Sequence, residues 1–131
     1  MFVDTSALYA LLVRSEEEHS RVAEAFKEAL RRGRVLVTSN YVLLESSALL
    51  QHRFGLPAVR DLETRIAPLL RVLWIDEGLH RRALELLFAT DRREVSLVDS
   101  VSFLVMEGEG IEEALALDSH FEKRGFKVLP L

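Results

Sequence analysis

Four short apolar runs that lack polar-apolar alternation, followed by a fifth strand-like segment near the end of the chain, constrain its fold more than any other feature. A strand covered by helices on both faces is continuously apolar, whereas a strand with one solvated face alternates. Segments with helical spacing of apolar residues lie between these runs, and Gly or Pro stands at several of their ends. The predicted strands are residues 2–3, 35–37, 72–75, 114–117 and 126–129, and the predicted helices are residues 5–13, 16–32, 40–54, 57–70, 78–90 and 97–107.

This alternation of strands and helices predicts an α/β protein. Right-handed crossovers place the helices on both faces, so we expect a three-layer α/β/α sandwich whose central sheet of about five strands is mainly parallel, with residues 126–129 at an edge. The 131 residues suit a single domain over 1–131, without repeat or linker. Ligands of such sheets bind beyond the carboxyl ends of the strands, where polar residues therefore matter most.

The composition excludes several kinds of chemistry. The absence of cysteine rules out disulfides, thiol nucleophiles and thiolate-bound metals. The formal net charge of -4 argues against indiscriminate coating of nucleic acid but permits a localised site. The start Met1-Phe2-Val3-Asp4 lacks a signal-peptide pattern, and no apolar run approaches the ~20 residues of a membrane span, so we expect a cytoplasmic protein without membrane contact.

Two acids directly follow predicted strands. Asp4 ends the first apolar run, and Asp118 ends the run Ala114-Leu115-Ala116-Leu117. Asp is also a preferred helix N-cap, which is the structural alternative at both positions. If the two acids are functional, they lie together at the carboxyl edge of the sheet.

Two further acids lie on predicted helices. Helical spacing puts Glu45 on one face with Tyr41, Ala48 and Leu49, where a lone carboxylate is costly. The alternatives for Glu45 are an exposed helix edge or a salt bridge to Arg.

Asp99 is open to two interpretations as well. Ser96-Leu97-Val98-Asp99 matches a capping box, in which serine and acid each bond the other's backbone amide. Asp99 nevertheless shares a helix face with Phe103 and Met106, which points its carboxylate along a core-directed stripe.

Together the four carboxylates indicate a cation, because like charges in one site repel unless a metal compensates them. An all-oxygen set favours Mg²⁺ or Mn²⁺. The histidines show no zinc-binding spacing and are expected mostly at the surface, and no phosphate-loop, dinucleotide-binding or serine-hydrolase motif is present. These histidines are His19, His52, His80 and His120.

The ordered acidic motifs resemble those of the PIN-domain nucleases, and especially the VapC-type toxins of prokaryotic toxin-antitoxin pairs. The resemblance extends over the whole chain and places Thr5 or Ser6 in the hydroxyl position beside the first acid. The four matching segments are Met1-Phe2-Val3-Asp4-Thr5-Ser6, Thr38-Ser39-Asn40-Tyr41-Val42-Leu43-Leu44-Glu45, Ser96-Leu97-Val98-Asp99-Ser100 and Ala116-Leu117-Asp118-Ser119-His120-Phe121.

The resemblance implies a metal-dependent endoribonuclease. Its catalytic and metal-binding acids are Asp4, Glu45, Asp99 and Asp118, with one or two Mg²⁺ or Mn²⁺ ions that activate water and stabilise the leaving oxygen. Ser6 and Ser96 are expected to position water or phosphate. Possible RNA backbone clamps are Arg14, Arg92 and Arg93, for which solvated turns are the alternative.

The resemblance also implies a homodimer that binds a small antitoxin protein, for which the apolar helix segment Ala7-Leu8-Tyr9-Ala10-Leu11-Leu12 offers a surface. The enzymatic alternatives are a metal-dependent phosphatase and a receiver-like phosphotransfer domain. Asp4-Thr5-Ser6 lacks the phosphatase's second Asp, and Lys127-Val128-Leu129-Pro130 lacks the receiver's adjacent Lys-Pro pair. A catalytically silent PIN-like assembly module is the non-enzymatic alternative.

Overall fold

The computed structural model describes all 131 residues and contains one five-stranded sheet in the order β3-β2-β1-β4-β5. Every neighbouring pair of strands is parallel, and β5 lies at an edge, as predicted. The strands are β1 Phe2–Val3, β2 Val37–Ser39, β3 Arg71–Leu73, β4 Glu113–Leu115 and β5 Lys127–Leu129.

Seven α-helices connect the strands. The chain moves from β1 to β2 to β3 in one direction and then returns to the other side of β1, so right-handed connections put α1–α4 on one face and α5–α7 on the other. The helices are α1 Thr5–Leu12, α2 His19–Arg31, α3 Asn40–Phe54, α4 Leu56–Asp61, α5 Glu77–Thr90, α6 Leu97–Glu109 and α7 His120–Lys123. None of them is long and apolar enough to cross a bilayer.

The central strand β1 and its neighbour β4 carry fully buried side chains of the core. Phe2, Val3 and Leu115 have no exposed surface, and Phe2 pairs with Ala114 in the register of β1 against β4. Phe121 of α7 packs with its ring centroid 6.2 Å from that of Phe2. The strands that lead to Asp4 and Asp118 are therefore anchored in the hydrophobic core.

Some predicted boundaries were wrong for identifiable reasons. Strand β2 starts at Val37, because Val35 is 59% exposed while the polar Thr38 is fully buried and its hydroxyl donates to the carbonyl of Val3 over 2.9 Å. The helix predicted over 57–70 ends at Asp61 and continues as a π turn, Leu62–Ile66, and a 3-10 turn, Ala67–Leu69. Pro68 lies in that last turn and lacks the amide that a continuing α-helix requires.

Candidate active site

The candidate site lies at the carboxyl edge of the sheet, between β1 and β4. Asp4 directly follows β1, and Asp118 lies three residues beyond the end of β4. The strand order reverses at this pair, because β1 leads to β2 on one side while β4 leads to β5 on the other. Reversal points of this kind open a crevice at the carboxyl ends of the strands.

Asp4 is both a helix cap and a buried acid. It caps α1, and its Oδ2 accepts hydrogen bonds from the Ser6 amide at 3.3 Å and the Ser6 hydroxyl at 2.7 Å. The same hydroxyl accepts from the amide of Leu117 at 3.0 Å. Ser6 therefore connects Asp4 at the end of β1 to the segment that follows β4, and it fixes the orientation of the carboxylate.

The surroundings of Asp4 disfavour its negative charge. Burial raises the pKa of Asp4, the carboxylates of Asp118 and Asp99 raise it further, and the two bonds from Ser6 only partly offset them, which leaves a pKa of about 7. No lysine or arginine forms a salt bridge with any of these three acids. The site thus holds more negative charge than the protein's own side chains neutralise.

Asp99 forms the predicted capping box and also faces the site. The Ser96 hydroxyl accepts from the Asp99 amide at 3.1 Å, and Asp99 Oδ2 accepts from the Ser96 amide at 3.0 Å. The Oδ2 atom also accepts a hydrogen bond from His120 Nδ1 at 3.0 Å. Phe103 and Met106, on the same face, are buried as expected. The carboxylate of Asp99 therefore caps helix α6 and takes part in the candidate site at the same time.

Asp118 and His120 complete the cluster. Asp118 Oδ1 accepts from the His120 amide at 3.0 Å, and His120 Nδ1 lies 3.6 Å from the same oxygen. Potential metal-ligating atoms of Asp99, Asp118 and His120 all lie within 4.8 Å of one another. Asp4 is linked to this group by the charges of Asp99 and Asp118 that act on it.

Each of the three acids uses one oxygen for the fold and keeps the other free. Asp4 and Asp99 bond through Oδ2 and Asp118 through Oδ1, so Asp4 Oδ1, Asp99 Oδ1 and Asp118 Oδ2 accept no hydrogen bond. Asp99, Asp118 and His120 bring potential ligand atoms together, the charge of Asp4 acts on the same group, and carboxylate oxygens are suitable ligands for a hard divalent cation such as Mg²⁺ or Mn²⁺. The residues present therefore fit a metal ion.

The predicted burial of Glu45 was wrong. Its side chain is exposed, and α3 buries Val42, Ser46 and Leu50 instead. Glu45 also forms no salt bridge, so the exposed helix edge, one of the two alternatives, is the correct description of its surroundings. Its membership of the site stays a prediction.

The predicted supporting residues and RNA-contact residues lie in several different parts of the structure. Thr5 is buried with an unbonded hydroxyl, and Ser96 is occupied in the helix cap. Arg14 lines a groove bounded by α1, α2, α3 and α4, whereas Arg92 lines a small pocket together with His120. Arg93 is exposed.

Sequence reasoning missed His120, which was expected at the surface with the other histidines. Its side chain is only 19% exposed and bonds Asp99, 21 residues earlier. The signal was its position two residues after Asp118 and directly before the buried Phe121. That spacing directs the ring back towards the acid, but the partnership with Asp99 depends on tertiary structure.

The parallel sheet and the acids beyond β1 and β4 define the class of this protein. A family model described as PIN domain matches residues 1–127, and the chain belongs to that family. The phosphatase and receiver alternatives were therefore wrong.

Among its relatives is the 23S rRNA-specific endonuclease VapC20 of Mycobacterium tuberculosis, 36% identical over 127 residues that cover 96% of this chain and 95% of the relative. The crystal structure of VapC20, described as a sarcin-ricin loop cleaving toxin, matches with a TM-score of 0.83 and covers 95% of each chain. The structure of FitAcB from Neisseria gonorrhoeae matches with a TM-score of 0.70 over 98% of this chain and 96% of its own. At 16% identity that second likeness concerns the fold alone.

Proposed function

We propose that this protein is a metal-dependent endoribonuclease and the toxin of a toxin-antitoxin pair. The observation that carries the proposal is the free oxygen on each of Asp4, Asp99 and Asp118 in a cluster without lysine or arginine partners. The similarity to VapC20 supports RNA as the substrate. Because ribosomal RNA is a cytoplasmic substrate, the proposal places the enzyme in the cytoplasm.

In this proposal Asp4, Asp99 and Asp118 hold Mg²⁺ or Mn²⁺, and Glu45 contributes a fourth carboxylate from α3. A divalent ion would supply activation of water and stabilisation of charge on the leaving oxygen. The chain's own residues supply rigidity. Ser6 orients Asp4, the capping box orients Asp99, and His120 holds Asp99 and Asp118 at a fixed separation.

The proposed substrate class is a structured loop of ribosomal RNA. VapC20 is described as acting on 23S rRNA and cleaving the sarcin-ricin loop, and the similarity extends over almost all of both chains. An acidic pocket attracts phosphate only after a cation has changed its charge, so substrate binding is expected to require the metal.

The proposed antitoxin site is the groove bounded by α1, α2, α3 and α4, with a volume of about 770 Å³. Within the apolar segment of α1, Ala7, Leu8 and Ala10 are core, so only Leu11 and Leu12 contribute to this groove. Its charged lining contains Arg14, Lys27 and Arg65 against Asp61. An amphipathic helix with acidic residues beside its apolar stripe suits such a surface.

The proposed homodimer interface is the open edge of the sheet at β3. Leu44 is 72% exposed and Trp74 is 79% exposed, and both line one groove with Leu43 and Val72. Exposed apolar patches beside an edge strand are typical of protein interfaces. Light scattering is expected to show a dimer for the wild type and a monomer for Trp74→Glu. The variant Leu12→Glu, which alters the antitoxin groove instead, should remain a dimer but should no longer co-purify with a small protein.

The decisive experiment is incubation of the purified protein with 23S rRNA in Mn²⁺ or Mg²⁺ and in EDTA. We expect one or a few discrete cuts with metal and none in EDTA. Asp118→Asn should abolish them, and Asp61→Asn, at an exposed position of α4, should not. Cleavage that continues in excess EDTA would contradict the metal mechanism, and inactivity on rRNA and total RNA would favour the silent assembly module.

A further inference from the structure

A small cationic pocket lies beside the acidic cluster, which consists of Asp4, Asp99 and Asp118. Its volume is about 160 Å³, and its lining includes Arg92, Lys123, Arg124 and His120. His120 belongs to both sites, since its Nδ1 bonds Asp99 while its ring forms part of the pocket wall. The side chain of His120 therefore separates the acidic cluster from the cationic pocket and contacts both.

Two of the three cations already have partners. Arg92 pairs with Glu94 at 2.8 Å. Arg124 pairs with Glu107 at 3.1 Å and lies over the ring of Phe103, 5.6 Å from its centroid. Both guanidinium groups are thus held in place, and their charges are largely balanced.

Lys123 differs from both arginines. It is exposed on α7 and forms no salt bridge, and its charge acts on Glu94 only at longer range. Three cations of the pocket thus have two carboxylate partners, Glu94 and Glu107, which leaves one positive charge in excess. An excess charge at the mouth of a pocket whose other cations are fixed is suited to an anion that arrives from solvent.

The size of the pocket limits the identity of that anion. Pockets for drug-sized ligands have volumes of roughly 300–1,000 Å³, so this one takes a group smaller than a nucleoside. Lysine and arginine are the usual partners of phosphate oxygens, and arginine supplies two parallel donors.

We propose that this pocket binds the backbone phosphate adjacent to the scissile one, with Lys123 as the principal contact. The inference rests on the proposed ribonuclease function and deepens it. With one phosphate at the acidic cluster and its neighbour in the pocket, the strand is fixed in direction and register across His120. Cleavage position then depends on a contact that reads the backbone rather than a base.

The test measures binding of a 2′-O-methyl RNA hairpin with the sarcin-ricin loop sequence in Mn²⁺ across a range of salt concentrations, by rapid mixing, so that binding is recorded before water can cut the strand. Each lost phosphate contact lowers the slope of log affinity against log salt by about 0.7 for single strands and about 0.9 for duplex. Lys123→Gln should show that loss and roughly tenfold weaker binding, since hydrogen bonds to charged groups are the stronger kind. Lys123→Arg should keep the wild-type slope.

Arg60→Gln is the control, because Arg60 is exposed on α4, forms no salt bridge and lines neither the cationic pocket nor the antitoxin groove. An unchanged slope in Lys123→Gln, or an equal loss in Arg60→Gln, overturns the inference. Cleavage of the unmodified hairpin is measured in parallel. A wild type that binds with the Lys123-dependent slope but does not cut supports the pocket and contradicts the proposed activity, whereas a wild type that binds no RNA contradicts both.

Discussion

The two ends of strand β4 carry partly buried carboxylates with opposite surroundings. At its start, Glu113 pairs with Arg34 and lies 3.4 Å from Lys127, so its pKa is lowered although burial alone would raise it. Beyond its end, Asp118 faces Asp4 and Asp99 without such partners, and the pKa of Asp4 rises to about 7. Compensated charge at one end supports the fold. Uncompensated charge at the other end is retained although it costs stability, which is typical of a functional site.

The largest expected effect is a difference in RNA cleavage between variants at the two ends of β4. Asp4→Asn should lower cleavage of rRNA by at least about 10³-fold, which corresponds to about 4 kcal/mol of lost transition-state stabilisation. Glu113→Gln should leave the cleavage rate of folded protein unchanged. Single-turnover kinetics in saturating Mn²⁺ measure both, and equal losses in the two variants would show that the ends do not differ in function.

The next effect is a difference in how the acids at the two ends of β4 change the free energy of unfolding with pH. Folding raises the pKa of Asp4 from 3.8, the ordinary value for an aspartate in the unfolded chain, to about 7, so the folded state holds the proton more tightly. Its contribution is complete below about pH 4 and is lost as pH rises through 7, by at most about 1.4 kcal/mol per pH unit. Glu113 has a lowered pKa, so its contribution is present above its unfolded value and is lost as pH falls.

Urea unfolding of the metal-free protein between pH 3 and pH 8 measures this contrast. Asp4→Asn should flatten the decline towards neutral pH, and Glu113→Gln should flatten the loss on the acidic side. A wild type whose stability increases steadily from pH 5 to pH 8 would contradict the charge assignment at the acidic cluster.

The third effect concerns the compensating cations. Arg34→Met should destabilise the fold by about 1–3 kcal/mol, because it removes the principal hydrogen-bonding partner of the partly buried Glu113. Lys127→Met should cost less, since Lys127 is more exposed than Arg34. Denaturant midpoints compare the two, and a greater cost for Lys127→Met would reverse the assignment of the principal partner.

The smallest effect concerns Ser6, which joins β1 to the segment beyond β4 at the acidic end. Ser6→Ala should cost about 1 kcal/mol of stability, because the hydrogen bond from the Ser6 hydroxyl to Asp4 is lost. That bond lowers the pKa of Asp4, so the variant should lose the contribution of Asp4 to stability at higher pH than the wild type does. Ser6→Thr retains the hydroxyl and is the control. A Ser6→Ala protein with unchanged pH dependence would show that Ser6 does not orient Asp4.

Local pattern predicted most of the fold and part of the site. Apolar runs predicted the positions of the strands, and the acids that directly follow two of them made Asp4 and Asp118 candidate site residues. The face of α3 could not be assigned, because its apolar stripe includes exposed residues such as Leu44 at 72%. The break after Asp61 and the burial of Thr38 depend on packing partners distant in sequence.

Within the site, the sequence alone leaves Asp99 open between cap and ligand, because a capping-box pattern does not specify which carboxylate oxygens it occupies. The structure assigns one oxygen to the cap and leaves the other free, so the alternatives are compatible. His120 was missed because a histidine without a paired ligand carries no local signal. Its contact with Asp99 brings together α6 and α7, which only the folded sheet places side by side.

The central claim, that the uncompensated acids form a metal site, is tested most directly by thermal unfolding of wild type and Asp118→Asn at pH 8, in EDTA and in Mn²⁺. We expect a higher Tm for Asp118→Asn than for wild type in EDTA, because one repelling charge is removed. In Mn²⁺ the wild type should gain stability and the variant little or none. A variant that is destabilised in EDTA yet shows the full wild-type rise in Mn²⁺ would contradict the claim.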